Sequence, residues 1–347
     1  MTRPGVMRAV VLSGPGPVEN LSVVELPVPE PPAGWVRIEV GAFGLNRSEL
    51  HTRLGLAGGV VFPRVPGIEA VGVVDSDCDL PRGQRVAAMM GGMGRVFDGG
   101  YAEYAVVPRE VLIPFRSDLP WDVLGAVPET VQTAYGSLTT GLDLQAGQRL
   151  LIRGGTSALG FAATTLARDI GATVLATTRS GLRLDVLRAH GVEHPLVDDG
   201  EVARQVRQLY PGGVDAALEL VGTPTLPDTL AATRVHGTVC FTGTLSDEWT
   251  VPGFSPIGYL PKGVRLTAYR GESADLPAEV LQRYLDRLAS GEISPGPITA
   301  YPMADIRRAH DDLEHNRRVG KLVGLPRAHP AGGGPAGGDP GDRPRRG

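Results

Sequence analysis

Hydrophobic residues follow two different patterns along the chain, and the change falls near Asp118. Before that point, short β-branched and aromatic runs alternate with Gly/Pro turns, a pattern typical of antiparallel strands. The strands expected there are Met7–Leu12, Leu21–Glu25, Trp35–Phe43, Glu69–Asp75, Arg85–Met90 and Ala102–Val107. This part of the chain predicts a β-rich unit, either a partly open antiparallel barrel or a sandwich.

After Asp118, strand-like runs alternate with segments of helix length. The expected strands are Leu150–Arg153, Thr173–Thr178, Pro195–Val197, Val214–Leu220, Thr238–Thr242 and Val264–Ala268. The expected helices cover residues 158–170, 181–190, 200–209, 226–234 and 276–290. Strands that alternate with helices in this way predict an α/β fold, with a doubly wound, six-stranded parallel sheet of the Rossmann type.

The chain then returns to the first pattern before it loses its periodicity. We expect a strand around Tyr301, a helix over Met303–Asn316 and a strand over Lys321–Leu325, and we assign all three to the β-rich unit. From Arg327 onward the sequence is rich in Gly and Pro without a hydrophobic period, which predicts a disordered tail. The expected units are residues 1–120 with 300–326, residues 121–299, and the tail 327–347.

Composition narrows the functional classes. The 347 residues carry a formal net charge of −4 and a pI near 6.0, which argues against a nucleic-acid or membrane-surface partner. No apolar run approaches the ~18 residues of a membrane span, and the N-terminus has no signal-peptide pattern. Cys78 and Cys240 are the only cysteines, so we expect a cytoplasmic protein that needs no disulfide.

A glycine-rich turn follows the first strand of the α/β part. The apolar run Leu150–Ile152 ends in a glycine pair and leads into a helix, whose free N–H groups and dipole favour a phosphate. Gly155 and Gly160 match the first and third glycines of the dinucleotide fingerprint G-x-G-x-x-G, but Ser157 replaces the second. A plain glycine turn before a buried helix would look similar. We expect cofactor contacts from Gly154, Gly155, Thr156, Ser157, Ala158, Leu159 and Gly160.

The end of the next strand indicates which cofactor this turn binds. An NAD site usually ends this strand with an acid that takes the ribose 2′-hydroxyl. Here the strand ends in Thr178, Arg179 and Ser180, with Arg183 one turn further on. A guanidinium and hydroxyls suit a 2′-phosphate, and no carboxylate repels it, so we expect NADPH. The alternative is that Arg179 is an ordinary solvated residue in a loop.

Several short motifs occur in a specific order along the chain. They are GLNRSEL at 44–50, PGIEAVGVV at 66–74, GGYAEY at 99–104, TAY at 133–135, the glycine turn, Val221–Gly222, Thr242–Gly243 and GKLV at 320–323. Their joint order resembles the medium-chain dehydrogenase/reductase superfamily over roughly residues 6–325. The resemblance implies that the β-rich unit is GroES-like and catalytic. It also implies that the cofactor contacts include Asn46, Thr133, Val221, Gly222, Thr242, Gly243 and Lys321.

The superfamily contains zinc alcohol dehydrogenases and zinc-free reductases, and the residues distinguish them. The zinc branch has a cysteine in the place of Asn46 and a histidine–glutamate pair in the place of Ile68–Glu69. An asparagine and an isoleucine cannot rebuild a site that needs three protein ligands, so we expect no metal. The chain therefore resembles the zinc-free quinone oxidoreductases, the group that includes zeta-crystallin.

That branch implies an NADPH-dependent reductase of a quinone or of the activated C=C bond of an enone. It also implies a homodimer, because the last sheet strand, here Val264–Tyr269, commonly pairs across a dimer axis in this superfamily. Without zinc, quinones and enones are better substrates than simple aldehydes, since the charge that arrives with hydride is delocalised.

Three residues are catalytic candidates on this hypothesis. Asn46 would donate its amide to a ribose hydroxyl or to the substrate oxygen, Arg53 would stabilise developing negative charge from the pocket edge, and Tyr135 would pack beside the nicotinamide. Each has a plain alternative: a turn residue for Asn46, a surface charge for Arg53, and interdomain core for Tyr135.

Three further polar residues have open roles. Glu69 is expected to be a structural partner of Arg47 or Arg53 more than an acid catalyst, and His51 a satisfied polar residue more than a proton relay. Lys321 would reach a cofactor phosphate, or is simply a turn lysine.

Two other functions stay open at this point. One is a reductase dedicated to a single biosynthetic intermediate, with the same hydride step and a narrow pocket. The other is a non-catalytic NADPH-binding regulatory protein. Substrate specificity would reside in the loops around residues 47–65, 91–98 and 246–262, and the sequence does not name the substrate.

Overall fold

A computed structural model describes residues 5–327 of the chain. The predicted tail therefore lies outside the described residues, apart from Arg327 at its start. Among residues 5–327 the strands form three sheets, of two, six and seven strands, and one of the seven strands of the largest sheet pairs beside its main path. None of the helices in this range is long and apolar enough to cross a bilayer.

The N-terminal part is built from short antiparallel strands, as the alternation of its side chains predicts. The strands are β1 (Val6–Leu12), β2 (Leu21–Pro27), β3 (Trp35–Leu45), β4 (Glu69–Val74), β5 (Arg85–Met89), β6 (Tyr104–Pro108) and β7 (Leu112–Pro114). Three helices belong to this part and the segment after it: α1 (Arg47–Arg53), α2 (Trp121–Leu124) and α3 (Pro128–Gly136). Helix α1 begins directly after β3, so its first residues lie at the end of the long central strand.

The middle part alternates strands and helices. It contains β8 (Arg149–Arg153), α4 (Ala158–Ile170), β9 (Thr173–Thr178), α5 (Leu184–Ala189), β10 (His194–Val197), α6 (Val202–Leu209), β11 (Val214–Glu219), α7 (Leu226–Ala232), β12 (Thr233–Phe241), α8 (Pro256–Tyr259), β13 (Arg265–Ala268) and α9 (Ala278–Ala289). The order β10-β9-β8-β11-β12-β13 is parallel throughout. The strand order changes direction between β8 and β11, because β8 leads outward to β9 and β10 whereas β11 leads outward to β12 and β13. In such sheets ligands bind at this switch point, outside the carboxyl ends of the strands.

The C-terminal part, β14 (Ile298–Pro302), α10 (Ile306–Glu314) and β15 (Lys321–Leu325), returns to the β-rich sheet. That sheet runs β14-β15-β3-β4-β5-β7, with β6 paired to β3. Strand β15 is antiparallel to β3, with Leu322 opposite Leu45. This register brings Lys321 next to Asn46, although the two residues are far apart in sequence.

The predicted α/β fold with its six-stranded parallel sheet and its separate β-rich, GroES-like part is confirmed. Strand β12 differs from the prediction, because it begins at Thr233 and not at Thr238. Its first residues include the exposed Val235 and His236, and His236 has a φ of +66°, so a hydrophobic pattern could not reveal them. Helix α1 falls in a segment that we expected to be a loop. The unit boundaries at 120, 299 and 326 stay a proposal.

The two sheets share one core. A single buried cluster contains Ala42 of β3, Val131 of α3 and Ile152 of β8. Helix α3 therefore lies in the core that the two sheets share, where it packs against β4 and β5 on one side and against α4 on the other, beside the cleft between the two parts.

Candidate active site

The glycine turn after β8 has the backbone geometry of a phosphate site. Gly154 has a φ of +89°, which favours glycine. A Cβ on Gly155 would lie 2.7 Å from the Cβ of Ala176, and a Cβ on Gly160 would lie 2.6 Å from the carbonyl oxygen of Gly155. Both glycines therefore allow a close approach of α4 to the sheet, and the first amides of α4, at Ala158 and Leu159, open the helix with no intrahelical acceptor.

Ser157 shapes this turn from within. Its hydroxyl donates to the carbonyl oxygen of Gly154 over 2.9 Å and accepts the amide of Gly160 at 3.0 Å. Ser157 is therefore the N-cap of α4, which explains why a serine can replace the second fingerprint glycine. The hydroxyl of Thr156 makes no hydrogen bond with a described residue, and Gly320 lies against the backbone here, with its amide 3.4 Å from the Thr156 carbonyl oxygen.

The end of β9 presents a free cation. Arg179 is exposed and has no hydrogen-bond or ion-pair partner among residues 5–327, and half-buried Arg183 also has none. Thr178 is buried, and its hydroxyl accepts the Ser180 amide at 3.4 Å. Arg179 is near enough to Arg47 of α1 to act on it. Burial lowers the pKa of the Arg47 guanidinium, and the charge of Arg179 lowers it further.

The segments after β11 and β12 turn around Glu219, which sequence reasoning missed. The amides of Val221 and Gly222 donate to Glu219 Oε1 over 2.7 and 3.1 Å. The amides of Thr242 and Gly243 donate to the Glu219 carbonyl oxygen over 3.0 and 3.1 Å. The backbone amides of these four predicted cofactor residues are therefore already bonded to Glu219, and the residues line the cleft. Burial raises the pKa of Glu219. The one feature of the sequence that could have identified Glu219 is its place as an acid at the end of an apolar strand.

A loop after β12 crosses the cleft to α1. The Ser246 amide donates to the Val221 carbonyl oxygen over 2.8 Å. The next residue, Asp247, accepts from Arg47 Nη1 at 3.0 and 3.1 Å, and its Oδ1 lies 3.0 Å from His51 Nε2. His51 is therefore a satisfied polar residue that joins the two halves of the molecule.

Asn46, Glu69 and Lys321 form a polar cluster on the β-rich side of the cleft, in which Glu69 and Lys321 are buried and Asn46 is half-buried. Lys321 Nζ donates to Asn46 Oδ1 over 2.5 Å and lies 2.7 Å from Glu69 Oε1. Asn46 Nδ2 donates to the same Glu69 oxygen over 3.0 Å. The Asn46 amide is therefore held by its oxygen and by one N–H. Lys321 is 4% exposed, so its ammonium is directed into this cluster and not toward the glycine turn.

Two more carboxylates complete this cluster, and neither was predicted. The Glu49 carboxylate accepts hydrogen bonds from the backbone N–H of Asn46 at 2.9 Å and from the backbone N–H of Ile68 at 2.6 Å. Burial raises the pKa of Glu49 to about 7. Glu129 Oε2 lies 3.5 Å from Lys321 Nζ, and burial raises its pKa as well. For Lys321, burial lowers the pKa, but the surrounding carboxylates raise it by more. The Asn-x-x-Glu spacing of a capping box was the signal that identifies Glu49.

Arg53 is the clearest correction among the predicted catalytic residues. Its side chain is 1% exposed, its Nη1 donates to the Gly16 carbonyl oxygen over 2.7 Å, and its Nη2 pairs with Glu314 of α10. This guanidinium ties α1 to α10 behind the cleft and does not reach a pocket edge. The expected pairing of Glu69 with Arg47 or Arg53 is also wrong, because Lys321 takes that place.

The two predicted residues of α3 lie beside the cluster. The Thr133 hydroxyl donates to Glu129 Oε1 over 3.1 Å, so Thr133 helps to hold the acid that faces Lys321. Tyr135 is half-buried and packs against the shared core. The structure thus brings Asn46, Lys321 and Thr133 together.

Comparisons with known proteins agree with this architecture. Residues 32–117 match the family described as alcohol dehydrogenase GroES-like domain, and residues 190–323 match the family described as zinc-binding dehydrogenase. The chain is 28% identical to a quinone oxidoreductase of Lama guanicoe over 336 residues, which covers 92% of this chain and 97% of that one. The chain belongs to the medium-chain dehydrogenase/reductase superfamily.

Two other relatives of different kinds are similar to it. The spectinabilin polyketide synthase system protein NorB of Streptomyces orinoci is 30% identical over 333 residues, but the chain spans only 14% of NorB's length, against 90% of its own. A structure of mycobacterial Rv1454c complexed with NADPH aligns with a TM-score of 0.79 and 25% identity, over 92% of this chain and 99% of that one. Within the superfamily the chain is quinone oxidoreductase-like, and it is an oxidoreductase that binds a nicotinamide cofactor.

The zinc that one matching family description implies does not fit the residues at this site. The ammonium of Lys321 already lies between Asn46 Oδ1 and Glu69 Oε1, where a cation would be bound. In the zinc-ligand position beside Glu69, Ile68 offers no donor atom. Within residues 5–327, no group of three or more His, Cys, Asp or Glu side chains is arranged to hold a metal ion. The nicotinamide cofactor, in contrast, fits the open amides and the free guanidinium at the glycine turn.

Proposed function

We propose that the protein is an NADPH-dependent, zinc-independent reductase of a quinone or of the activated C=C bond of an enone. The observation that carries this proposal is the cation at the site, which is the Lys321 ammonium bound between Asn46 and Glu69. An ammonium group holds hydrogen-bonding groups in place, but it cannot polarise a simple carbonyl as zinc does. Substrates that delocalise the incoming charge need less polarisation, which favours quinones and enones.

The residues of this chain would orient the reactants. NADPH, when bound, would supply the hydride, and a proton from solvent would complete the reduction. Asn46 Nδ2 carries two N–H groups, and Glu69 accepts one of them. The second N–H is the group we assign to a ribose hydroxyl or to the substrate oxygen. Lys321 fixes the amide oxygen so that this N–H has a defined direction, and Tyr135 would pack beside the nicotinamide.

The preference for NADPH over NADH rests on the end of β9. Arg179 is an exposed cation that no residue of the described range 5–327 pairs with, and its neighbours Thr178, Ser180 and Arg183 include no carboxylate. A guanidinium binds a 2′-phosphate with charge-assisted hydrogen bonds, whereas a ribose hydroxyl gains little from it. The NADPH complex of the mycobacterial relative supports the same cofactor.

The test is an assay of NADPH and NADH oxidation by the purified protein. The acceptors are 9,10-phenanthrenequinone, 1,4-benzoquinone, an α,β-unsaturated ketone and a simple aldehyde, each with and without a chelator. We expect turnover of quinone or enone but not of aldehyde, with NADPH preferred and no effect of the chelator. Aldehyde reduction that the chelator abolishes would contradict the proposal.

A dedicated biosynthetic reductase is the second candidate. The observation that favours it is the 30% identity to the polyketide synthase system protein NorB. Such an enzyme would bind NADPH tightly and turn over none of the general acceptors. A non-catalytic regulatory protein would give the same result, and only the reductase would oxidise NADPH when a pathway intermediate is supplied.

Assembly and compartment are further parts of the proposal. Strand β13 is at one edge of the six-stranded sheet, so pairing of Val264–Tyr269 with a second copy would extend that sheet into a homodimer. Light scattering during gel filtration measures the mass and would contradict the dimer if only the monomer mass is found. Cys78 and Cys240 are both free, which agrees with the cytoplasm as the compartment.

A further inference from the structure

The loop of residues 90–98 holds a guanidinium that no described carboxylate neutralises. Arg95 is half-buried, and the hydrogen bond it makes is from Nη2 to Ser48 Oγ over 2.7 Å. Its buried Nε has no partner among residues 5–327, which is also true of Arg53 and Arg64, but those two arginines are paired with carboxylates and Arg95 is not. A partly desolvated cation without a counter-ion is unfavourable, so an anion that enters this site would be bound well.

Neighbouring arginines show that the fold supplies partners where a charge is structural. Arg47 pairs with Asp247. Arg64 pairs with Asp98, the acid of the same loop, and this aspartate also accepts the Val65 amide at 3.0 Å. The acid nearest to Arg95 in sequence is therefore already bonded elsewhere.

The loop is held in a fixed shape, so the Arg95 backbone has a defined place. Gly91, Gly92 and Gly94 have φ values of +60°, +95° and +73°. A Cβ on Gly94 would lie 2.7 Å from the backbone nitrogen of Gly67, which shows how closely the loop packs on the turn before β4. The Val96 amide donates to the Gly92 carbonyl oxygen over 2.7 Å and closes the loop.

Arg95 contacts the first turn of α1, the helix that begins next to Asn46. Ser48 follows Asn46 by two residues, and it shares a face of α1 with His51, three residues on. The His51 ring centroid is 4.9 Å from that of Trp249, a residue of the loop that crosses the cleft. Trp249 is 38% exposed and so offers an aromatic surface. The two loops expected to set specificity thus meet at α1, one with a cation and the other with an aromatic ring.

We propose that Arg95 is a specificity-determining residue that binds a carboxylate of the substrate. The substrate class is then an enone or quinone with an apolar or aromatic body, placed against Trp249, and a carboxylate placed against Arg95. This inference deepens the proposed function and rests on it for turnover. Binding of the carboxylate does not depend on turnover, so the two claims can fail separately.

The test uses a matched pair of ligands. The reduced compound 3-benzoylpropionate and its ethyl ester share the same aromatic ketone body, and the ester replaces the negative charge of the carboxylate with an uncharged ethyl group. Neither contains an activated C=C bond that could react with Cys78. Their dissociation constants are measured by isothermal titration calorimetry on wild-type protein with NADPH and on the variants Arg95→Gln and Arg95→Lys. The control is Arg82→Gln, because Arg82 is an exposed arginine in another loop of the β-rich part. The unsaturated acid 3-benzoylacrylate and its ethyl ester are then assayed for NADPH oxidation.

In the wild type we expect the acid to bind at least about tenfold more tightly than the ester. Arg95→Gln should remove this preference, Arg95→Lys should keep part of it, and Arg82→Gln should leave it unchanged. Equal binding of acid and ester, an acid preference that survives Arg95→Gln, or no binding of either ligand would overturn the inference. Selective binding of the acid without oxidation of NADPH would instead count against the proposed function and leave the role of Arg95 intact.

Discussion

At the Asn46 end of the cleft the polar side chains bond to one another, whereas around the glycine turn Arg179 and the first amides of α4 have no partner among residues 5–327. Lys321 is bonded to Asn46 and Glu69 in a place that is almost closed to solvent. Arg179 is exposed and unpaired among the described residues, and the first amides of α4 are open. This difference distinguishes residues that position others from residues that bind a ligand. Paired polar groups hold a side chain in one orientation, whereas unpaired groups mark the place where a ligand supplies the missing partner.

The same contrast sorts residues that look alike in the sequence. Arg53, Arg95 and Arg179 are all arginines near proposed ligand sites. Arg53 has a carboxylate and a carbonyl as partners, and we assign it to the fold. Within the described part of the chain Arg95 has one hydroxyl as a partner and Arg179 has none, and we assign both to ligands.

The largest effect on stability is expected when the cluster of Asn46, Glu69 and Lys321 loses the Lys321 ammonium. Lys321→Met leaves Glu69 and Glu129 facing each other without a counter-charge in a buried place, so unfolding free energy should fall by about 3–5 kcal/mol. Urea denaturation measures the loss. The matched control is Lys262→Met, since Lys262 is the only other lysine and is exposed. A loss no larger than that of the control would mean that the cluster does not depend on Lys321.

The next effect is a change of stability with pH at Glu49. Its pKa is about 7 in the fold against 4.5 for the free group, so the fold holds this proton more tightly than the unfolded chain does. Stability from this group is present below about pH 4.5 and is lost as the pH rises toward 7. Glu49→Gln cannot ionise, so between pH 5 and pH 8 it should gain roughly 2–3 kcal/mol relative to the wild type.

Urea denaturation of both proteins at the two pH values checks this prediction for Glu49. Glu110→Gln is the control, because Glu110 is exposed and lies outside the cluster. The prediction fails if the stability difference between Glu49→Gln and the wild type changes with pH no more than the difference for Glu110→Gln does. The pKa of Glu49 would then not be raised.

A smaller loss of unfolding free energy is expected when Arg53 is replaced, with little change in catalysis. Arg53→Met removes the pair with Glu314 and the bond to Gly16, and we expect a loss of about 2 kcal/mol in unfolding free energy. Because Arg53 lies behind the cleft, kcat/KM for the quinone should stay within about threefold of the wild type. A large fall in kcat of a stably folded variant would restore Arg53 to the catalytic site.

Local patterns predicted the fold well because each strand and helix carries its own periodicity. The Thr173–Thr178 strand and the helix over 158–170 lie where the pattern placed them. The partner of Glu69 could not be predicted in this way. The register of β15 against β3 brings Lys321 to it, and register depends on contacts between residues far apart in sequence.

The sequence predicted where the candidate site lies, but it did not predict which polar side chains bond to one another there. The glycine turn and Asn46 follow from motifs, whereas the satisfaction of each polar group depends on the neighbours that the fold supplies. Ser157 and Arg53 illustrate this point, since each looked like a ligand for a cofactor or substrate and each is bonded within the protein.

The most direct test of the central claim is the affinity of Arg179→Ala for the two cofactors. NADPH and NADH dissociation constants are measured by fluorescence titration of wild-type and variant protein. We predict that NADPH binds about tenfold more weakly to the variant, which corresponds to about 1.4 kcal/mol, and that NADH binding is nearly unchanged. Equal weakening of both cofactors, or no change in either, would contradict the claim that the unpaired Arg179 is the 2′-phosphate site.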